Sequence, residues 1–153
     1  MLVMASSYFN DMFTTSSPDD ASFLLDKVQP KVSHDTNARL LQPFTVDEVW
    51  NAIKSMTPMK ASGVDGYPAL FYQRYWHIIG SDISAFCLSI LNGSSSVREV
   101  NDTLLALIPK IKKPENMSHF RPISLCNVIY KIVAKVLAIR FSSTLDTCID
   151  ECQ

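Results

Sequence analysis

Lys110 and Arg121 stand on either side of a polar stretch that also carries Lys112, Lys113 and Pro114. Apolar runs border that stretch, Thr103 to Ile108 before it and Phe120 to Leu125 after it. If the two runs pair as strands, both cations emerge near one end of a hairpin. An arginine fork beside a lysine point charge there suits phosphate, either a triphosphate or a nucleic-acid backbone. The surroundings favour an anion. Residues 101–140 hold seven basic groups (Lys110, Lys112, Lys113, Arg121, Lys131, Lys135, Arg140) against Asp102 and Glu115. Residues 1–59 lean the other way, with seven acidic groups against four basic ones. The net charge of −1 therefore conceals a basic block of the kind a polyanion partner requires, with a solvated basic face as the plainer alternative.

A second candidate is the loop Lys60-Ala-Ser-Gly-Val-Asp-Gly66, which holds two of the chain's four glycines. Glycine permits positive φ and close backbone approach to a ligand, and Lys60 adds a cation beside it. The loop lacks the GK[ST] ending of a P-loop and follows a helical pattern, so a plain helix–helix connection stands beside the ligand reading. Catalytic carboxylates are not apparent. Two-metal phosphoryl transfer needs convergent acids, whereas Asp19-Asp20 reads as loop polarity and Asp47-Glu48 as the start of a helix. His34, His77 and His119 lie far apart, and Cys148 with Cys152 would need two further ligands to hold zinc. Neither a catalytic nor a metal residue is expected.

These groups require elements to position them. A composition that is 47% hydrophobic and 19% charged excludes a disordered chain and a coiled coil. The best apolar stretch, Ile129 to Ile139, is interrupted by Lys131 and Lys135 and is too short to span a membrane. The first residues, MLVMASSYFN, lack a basic leader and a long apolar run, which argues against a secretory signal. Four cysteines are too few for a disulfide framework and fit a reducing compartment.

Tyr8, Phe9, Met12 and Phe13 suggest a short apolar helical turn, and residues 14–20 a loop. Thr45 and Glu48 form a capping box for a helix over 45–56 that Pro58 ends. A helix is expected over 68–79, started by Pro68 and closed by Gly80, and another over 82–91, closed by Asn92-Gly93. After the two strands, the second an edge because of Pro122, Asn127 caps a long helix. Its apolar stripe is Ile129, Ile132, Val133, Val136, Leu137, Phe141 and Leu145, with Lys131, Lys135 and Arg140 off the stripe. The expected fold is α+β and mainly helical, with a two-stranded hairpin.

In order, the segments Pro43-Phe44, Lys60 to Gly66, Phe71-Tyr72-Gln73 with Trp76, Leu107-Ile-Pro-Lys110, and Phe120-Arg-Pro-Ile-Ser-Leu-Cys-Asn-Val128 with Tyr130-Lys131 form one pattern. It resembles the N-terminal part of the reverse transcriptase of plant LINE-type non-LTR retrotransposons, over residues 43–153. Residues 1–42 are similar to the linker that precedes that domain. Ser62 and Val64 replace two prolines of the family's K-A-P-G-P-D-G loop, which implies a less rigid loop.

The resemblance implies an RNA-directed DNA polymerase whose metal-binding aspartates come after residue 153. The expected piece is therefore the fingers and the start of the palm, inactive in isolation, with Mg²⁺ expected only for the complete enzyme. It implies that Lys110 and Arg121 grip the triphosphate of an incoming deoxynucleotide. Lys60, Gly63, Asp65 and Gly66 would lie toward the template, and Lys112, Lys113, Lys131, Lys135 and Arg140 would be available to phosphates. RNA template and DNA primer are the implied partners, weakly held, with no membrane, in the nucleus or cytoplasm. A non-enzymatic nucleic-acid-binding module, or an inactive relic of the same domain, is the alternative.

Overall fold

Thr45 and Glu48 make the capping box expected of them. The Thr45 hydroxyl accepts from the Glu48 N–H at 3.4 Å, and the Glu48 carboxylate accepts from the Thr45 N–H at 2.9 Å. In the computed structural model, which describes residues 2–14 and 31–149, this box starts the helix at the centre of the core. The elements are α1 (Leu2–Phe13), α2 (His34–Leu40), α3 (Val46–Lys54), α4 (Ala69–Arg74), α5 (Trp76–Leu91), β1 (Thr103–Pro109), β2 (Phe120–Cys126) and α6 (Val128–Cys148). The fold is α+β and mostly helical, and β1 and β2 form a two-stranded antiparallel sheet. Most of the loop expected at 14–20, with Asp19-Asp20, and Cys152 lie outside the described residues.

The chain groups into two units. One takes α1 and the distal hairpin, Leu107–Ile123; the other takes Lys31–Ala106 with the chain from Ser124 onward. The first unit's helix is longer than the single turn expected, with Phe9 buried and stacked on Phe13, ring centroids 6.2 Å apart. The second holds the main core. Val49, Ala52 and Ile53 of α3 pack with Val128, Ile132, Val133 and Val136 of α6, Ala69 and Tyr72 of α4, and Cys87 of α5. Each fully buried Val or Ile contributes on the order of 1.5–3 kcal/mol, so this cluster dominates the unit's stability. No helix among the described residues is long and apolar enough to cross a membrane.

Two expectations need correction. The helical break falls at Tyr75 (φ −101°, ψ 16°), and α5 runs through Gly80 without interruption. Trp76 lies along the helix over Gly80, where a Cβ would come within 2.7 Å of the indole, and stacks on Trp50 with centroids 4.9 Å apart. A mid-helix glycine costs about 1 kcal/mol, and here the tryptophan pair it admits offsets that cost. The second correction concerns α6. Its stripe is buried at Ile132, Val133 and Val136, but Leu137, Phe141 and Leu145 remain 43%, 58% and 42% exposed. The nearest cover, α2, reads HDTNARL and has no buried residue, so it offers little apolar surface to lay over them.

Arg140 fixes the opposite flank of α6. Its Nη2 donates to both Glu48 oxygens at 2.7 Å and its Nε to Oε1 at 2.9 Å. Nη1 donates to the Leu40 carbonyl at 3.2 Å and to the Gln42 carbonyl, Nη2 also reaches the Pro43 carbonyl at 3.3 Å, and the guanidinium lies 3.5 Å over the Phe44 ring. Every guanidinium nitrogen is thus engaged inside the fold. The cation expected to face nucleic acid instead ties the α2–α3 connection to α6.

Desolvation pulls the Glu48 carboxyl upward, but the Arg140 guanidinium and the Thr45 hydrogen bonds outweigh it and hold the pKa below its usual 4.5. A carboxylate held low contributes stability above its unfolded pKa and loses it as pH falls through the folded one. Urea unfolding should therefore show wild-type stability declining on acidification below about pH 4.5, with Glu48→Gln flattening that part of the profile. Arg140→Lys cannot reproduce the fork and should cost about 2 kcal/mol at neutral pH.

Candidate nucleic-acid interface

In the first unit, the register of the hairpin places its cations. The Lys110 N–H donates to the His119 carbonyl at 2.8 Å, so these two residues stand opposite each other. Arg121 then faces Ile108, and the period of two puts Lys110 and Arg121 on one face of the ladder as diagonal neighbours. The Lys110 ammonium donates to the Ser118 carbonyl at 2.9 Å, which leaves two of its three protons for another acceptor. Lys112 and Lys113 are exposed in the turn. His119 Nδ1 accepts from the Glu115 and Asn116 N–H groups at 3.2 and 3.4 Å and closes the tip, a capping role its sequence position did not signal.

In the second unit, the loop at 60–66 is seated on the first turn of α6. Gly63 lies so close to Asn127 that a Cβ would overlap its backbone N and Oδ1 and come within 2.6 Å of the Cys126 carbonyl carbon. Asn127 lacks a side-chain cap bond to its own helix; its Oδ1 accepts from the Asp65 N–H at 3.5 Å. The Asp65 carboxylate turns back to accept from the Tyr67 N–H at 3.2 Å, and Gly66 takes the positive φ, +73°, that ends the turn. Lys131 completes the seat by donating to the Ala61 carbonyl at 2.7 Å. Gly63, Asp65 and Gly66 thus shape the loop, and Lys131 holds it.

Beside this seat is a cleft of about 460 Å³. Lys60 from the loop and Lys131 and Lys135 from α6 line it, with Met56, Ala69 and Val128 as its apolar lining. Gln73, which carried no chemical signal in the sequence, fixes the chain just before the cleft. Its amide donates to the Ile53 and Met56 carbonyls, both at 2.9 Å, closing the end of α3. Ser55 and Thr57 also border the cleft and were not expected there. Among the described residues, no carboxylate lies within ion-pair distance of Lys60, Lys110, Lys112, Lys113, Arg121, Lys131 or Lys135. The described residues offer no group of three His, Cys, Asp or Glu able to hold a metal ion.

No protein-family model matches the chain. Over 143 residues it is 32% identical to a Xenopus laevis protein described as the transposon TX1 uncharacterized 149 kDa protein. That match covers 92% of this chain and 11% of the Xenopus protein, so the chain spans about a ninth of that relative's length. The similarity supports an origin in a transposon.

The seat of the loop can be tested directly. Lys131→Met should loosen residues 60–66, with amide exchange at Asp65 and Gly66, whose N–H groups are bonded, about tenfold faster, the counterpart of removing one charge-assisted hydrogen bond. Gly63→Ala should displace the loop and lower the urea midpoint, because the new methyl group meets helix backbone rather than a side chain that can move.

Proposed function

We propose that this chain is the fingers part, and the start of the palm, of a reverse transcriptase from a non-LTR retrotransposon. In this reading it contacts nucleic acid and nucleotide through phosphates. The similarity to the transposon TX1 protein supports the origin. The observation that carries the chemistry is the hairpin register, which sets Lys110 and Arg121 side by side on one face.

A guanidinium fork next to an ammonium binds two oxygens of one phosphate and neutralises a second. In the complete protein that pair holds the triphosphate of the incoming deoxynucleotide. Lys112 and Lys113 extend the positive field at the turn, where RNA template or DNA primer passes. Affinity then comes from phosphate neutralisation and carries little sequence preference. Arg140 has no part in this, since its donors are engaged within the fold.

The test is a fluorescence-anisotropy titration of a labelled single strand at several salt concentrations. The full chain should bind weakly, with affinity falling as salt rises. Lys110→Ala with Arg121→Ala should weaken binding and flatten the dependence of log K on log salt by about 0.7 for each phosphate no longer neutralised. Lys27→Ala with Lys31→Ala, in the acidic N-terminal third, should leave the slope unchanged. Equal slopes for all three proteins would overturn the hairpin assignment.

A further inference from the structure

The outer side of α4 carries a row of aromatic rings that the core does not bury. Ala69 and Tyr72 turn inward, whereas Tyr67, Leu70 and Tyr75 remain exposed on and beside the helix. Residues four apart share a helix face, which sets Tyr67, Phe71 and Tyr75 in line. The Tyr67 and Tyr75 ring centroids lie 4.6 and 5.3 Å from that of Phe71, the rings tilted by 37° and 50°. The outer two rings are therefore no more than about 10 Å apart. Tyr67 is 49% and Tyr75 40% exposed, so both are open to a partner, with Phe71 half-buried between them. Contiguous apolar surface of this kind marks a place of interaction.

The row is held before any partner arrives. The Tyr67 N–H donates to the Asp65 carboxylate at 3.2 Å, and the Leu70 N–H donates to the Pro58 carbonyl at 3.0 Å. A surface fixed in this way loses little freedom on binding.

The chemistry beside the rings is that of donors. Neither the Tyr67 nor the Tyr75 hydroxyl has a hydrogen-bond partner among the described residues. Arg74, three residues on from Phe71, is exposed and has no carboxylate partner among the described residues. A partner must then bring apolar bulk together with acceptors. Polyproline II supplies both, because its rings are apolar, its carbonyls have no internal partner and proline has no N–H. An α-helix satisfies its own carbonyls and would leave these donors unmatched. One polyproline II turn advances roughly 9 Å, which fits the span the outer rings can cover.

We infer that this face docks a proline-rich segment of a partner protein in the polyproline II conformation. Prolines one turn apart lie on Tyr67 and Tyr75, and their carbonyls accept from the two hydroxyls and from Arg74. The contact needs no phosphate, so it goes beyond the nucleic-acid reading and does not rest on it.

Amide chemical shifts of the isotope-labelled full chain provide the test. The probes are an end-capped decaproline, an end-capped Gly-Ser decapeptide and a short oligothymidylate. Decaproline should shift Tyr67, Leu70 and Tyr75, the Gly-Ser peptide should not, and the affinity should stay level as salt rises. Tyr67→Ala and Tyr75→Ala should each weaken decaproline binding about tenfold, as loss of an aromatic anchor does. Tyr75→Phe keeps the ring and its packing on Phe71, so its loss of about threefold reads the donor alone. The Lys110→Ala, Arg121→Ala protein should bind decaproline as the wild type does, so failure of the hairpin assignment leaves this result standing. No shifts with decaproline, equal shifts with the Gly-Ser peptide, or unchanged binding in all three tyrosine variants would overturn the inference. Displacement of decaproline from these residues by oligothymidylate would also overturn it and assign the rings to base stacking.

Discussion

The Arg140–Glu48 fork is the contact on which the second unit's architecture depends. Glu48 serves two masters: its carboxylate caps α3 through Thr45 and receives Arg140 from α6. The same guanidinium collects the carbonyls of Leu40, Gln42 and Pro43, which would otherwise end α2 without partners. Phe44, beneath the guanidinium, sends its N–H to the Asn92 side chain at the end of α5, at 3.0 Å. One side chain of α6 therefore brings three helix ends, those of α2, α3 and (through Phe44) α5, into a single arrangement. The pair is only partly shielded, with Arg140 at 12% and Glu48 at 32% side-chain exposure, so its strength comes from its geometry more than from a dry environment.

Much of this was legible in the sequence where the signal is local. The Thr45–Glu48 box, the Asn92-Gly93 stop and the two strands on either side of a polar turn each depend on neighbours within a few residues. Arg140 was not legible, because its partner lies 92 positions away and nothing around it distinguishes a tethered arginine from a free one. Gly80 misled for a related reason. A glycine near a helix end reads as a stop, and only the Trp50–Trp76 stack reveals that it makes room for a ring. The exposed end of the α6 stripe shows the converse: periodicity marks a face as apolar but does not supply the element that covers it.

The basic residues of the block, together with Lys60 of the loop, also sort themselves. Arg140 serves the fold, Lys131 serves the loop and still borders the cleft, and Lys60 and Lys135 have no carboxylate partner among the described residues. Lys110 leans on the Ser118 carbonyl without exhausting its donors. Charge alone made these side chains equivalent. Hydrogen-bond geometry distinguishes those left to meet an anion from those already occupied.

The spacing of Lys131 and Arg140 along α6 has a consequence for how this segment can change over time. Nine residues separate them, which is two and a half turns and about 13.5 Å of rise. They therefore project from opposite flanks of the buried stripe, one pinning the loop after α3 and the other the turn before it. Insertion or deletion of one residue between them would swing one tether by about 100° and pull it off its partner. Point changes on the outer surface of α6 leave that arrangement intact. The helix works as a ruler, and a lineage can repaint it but not resize it.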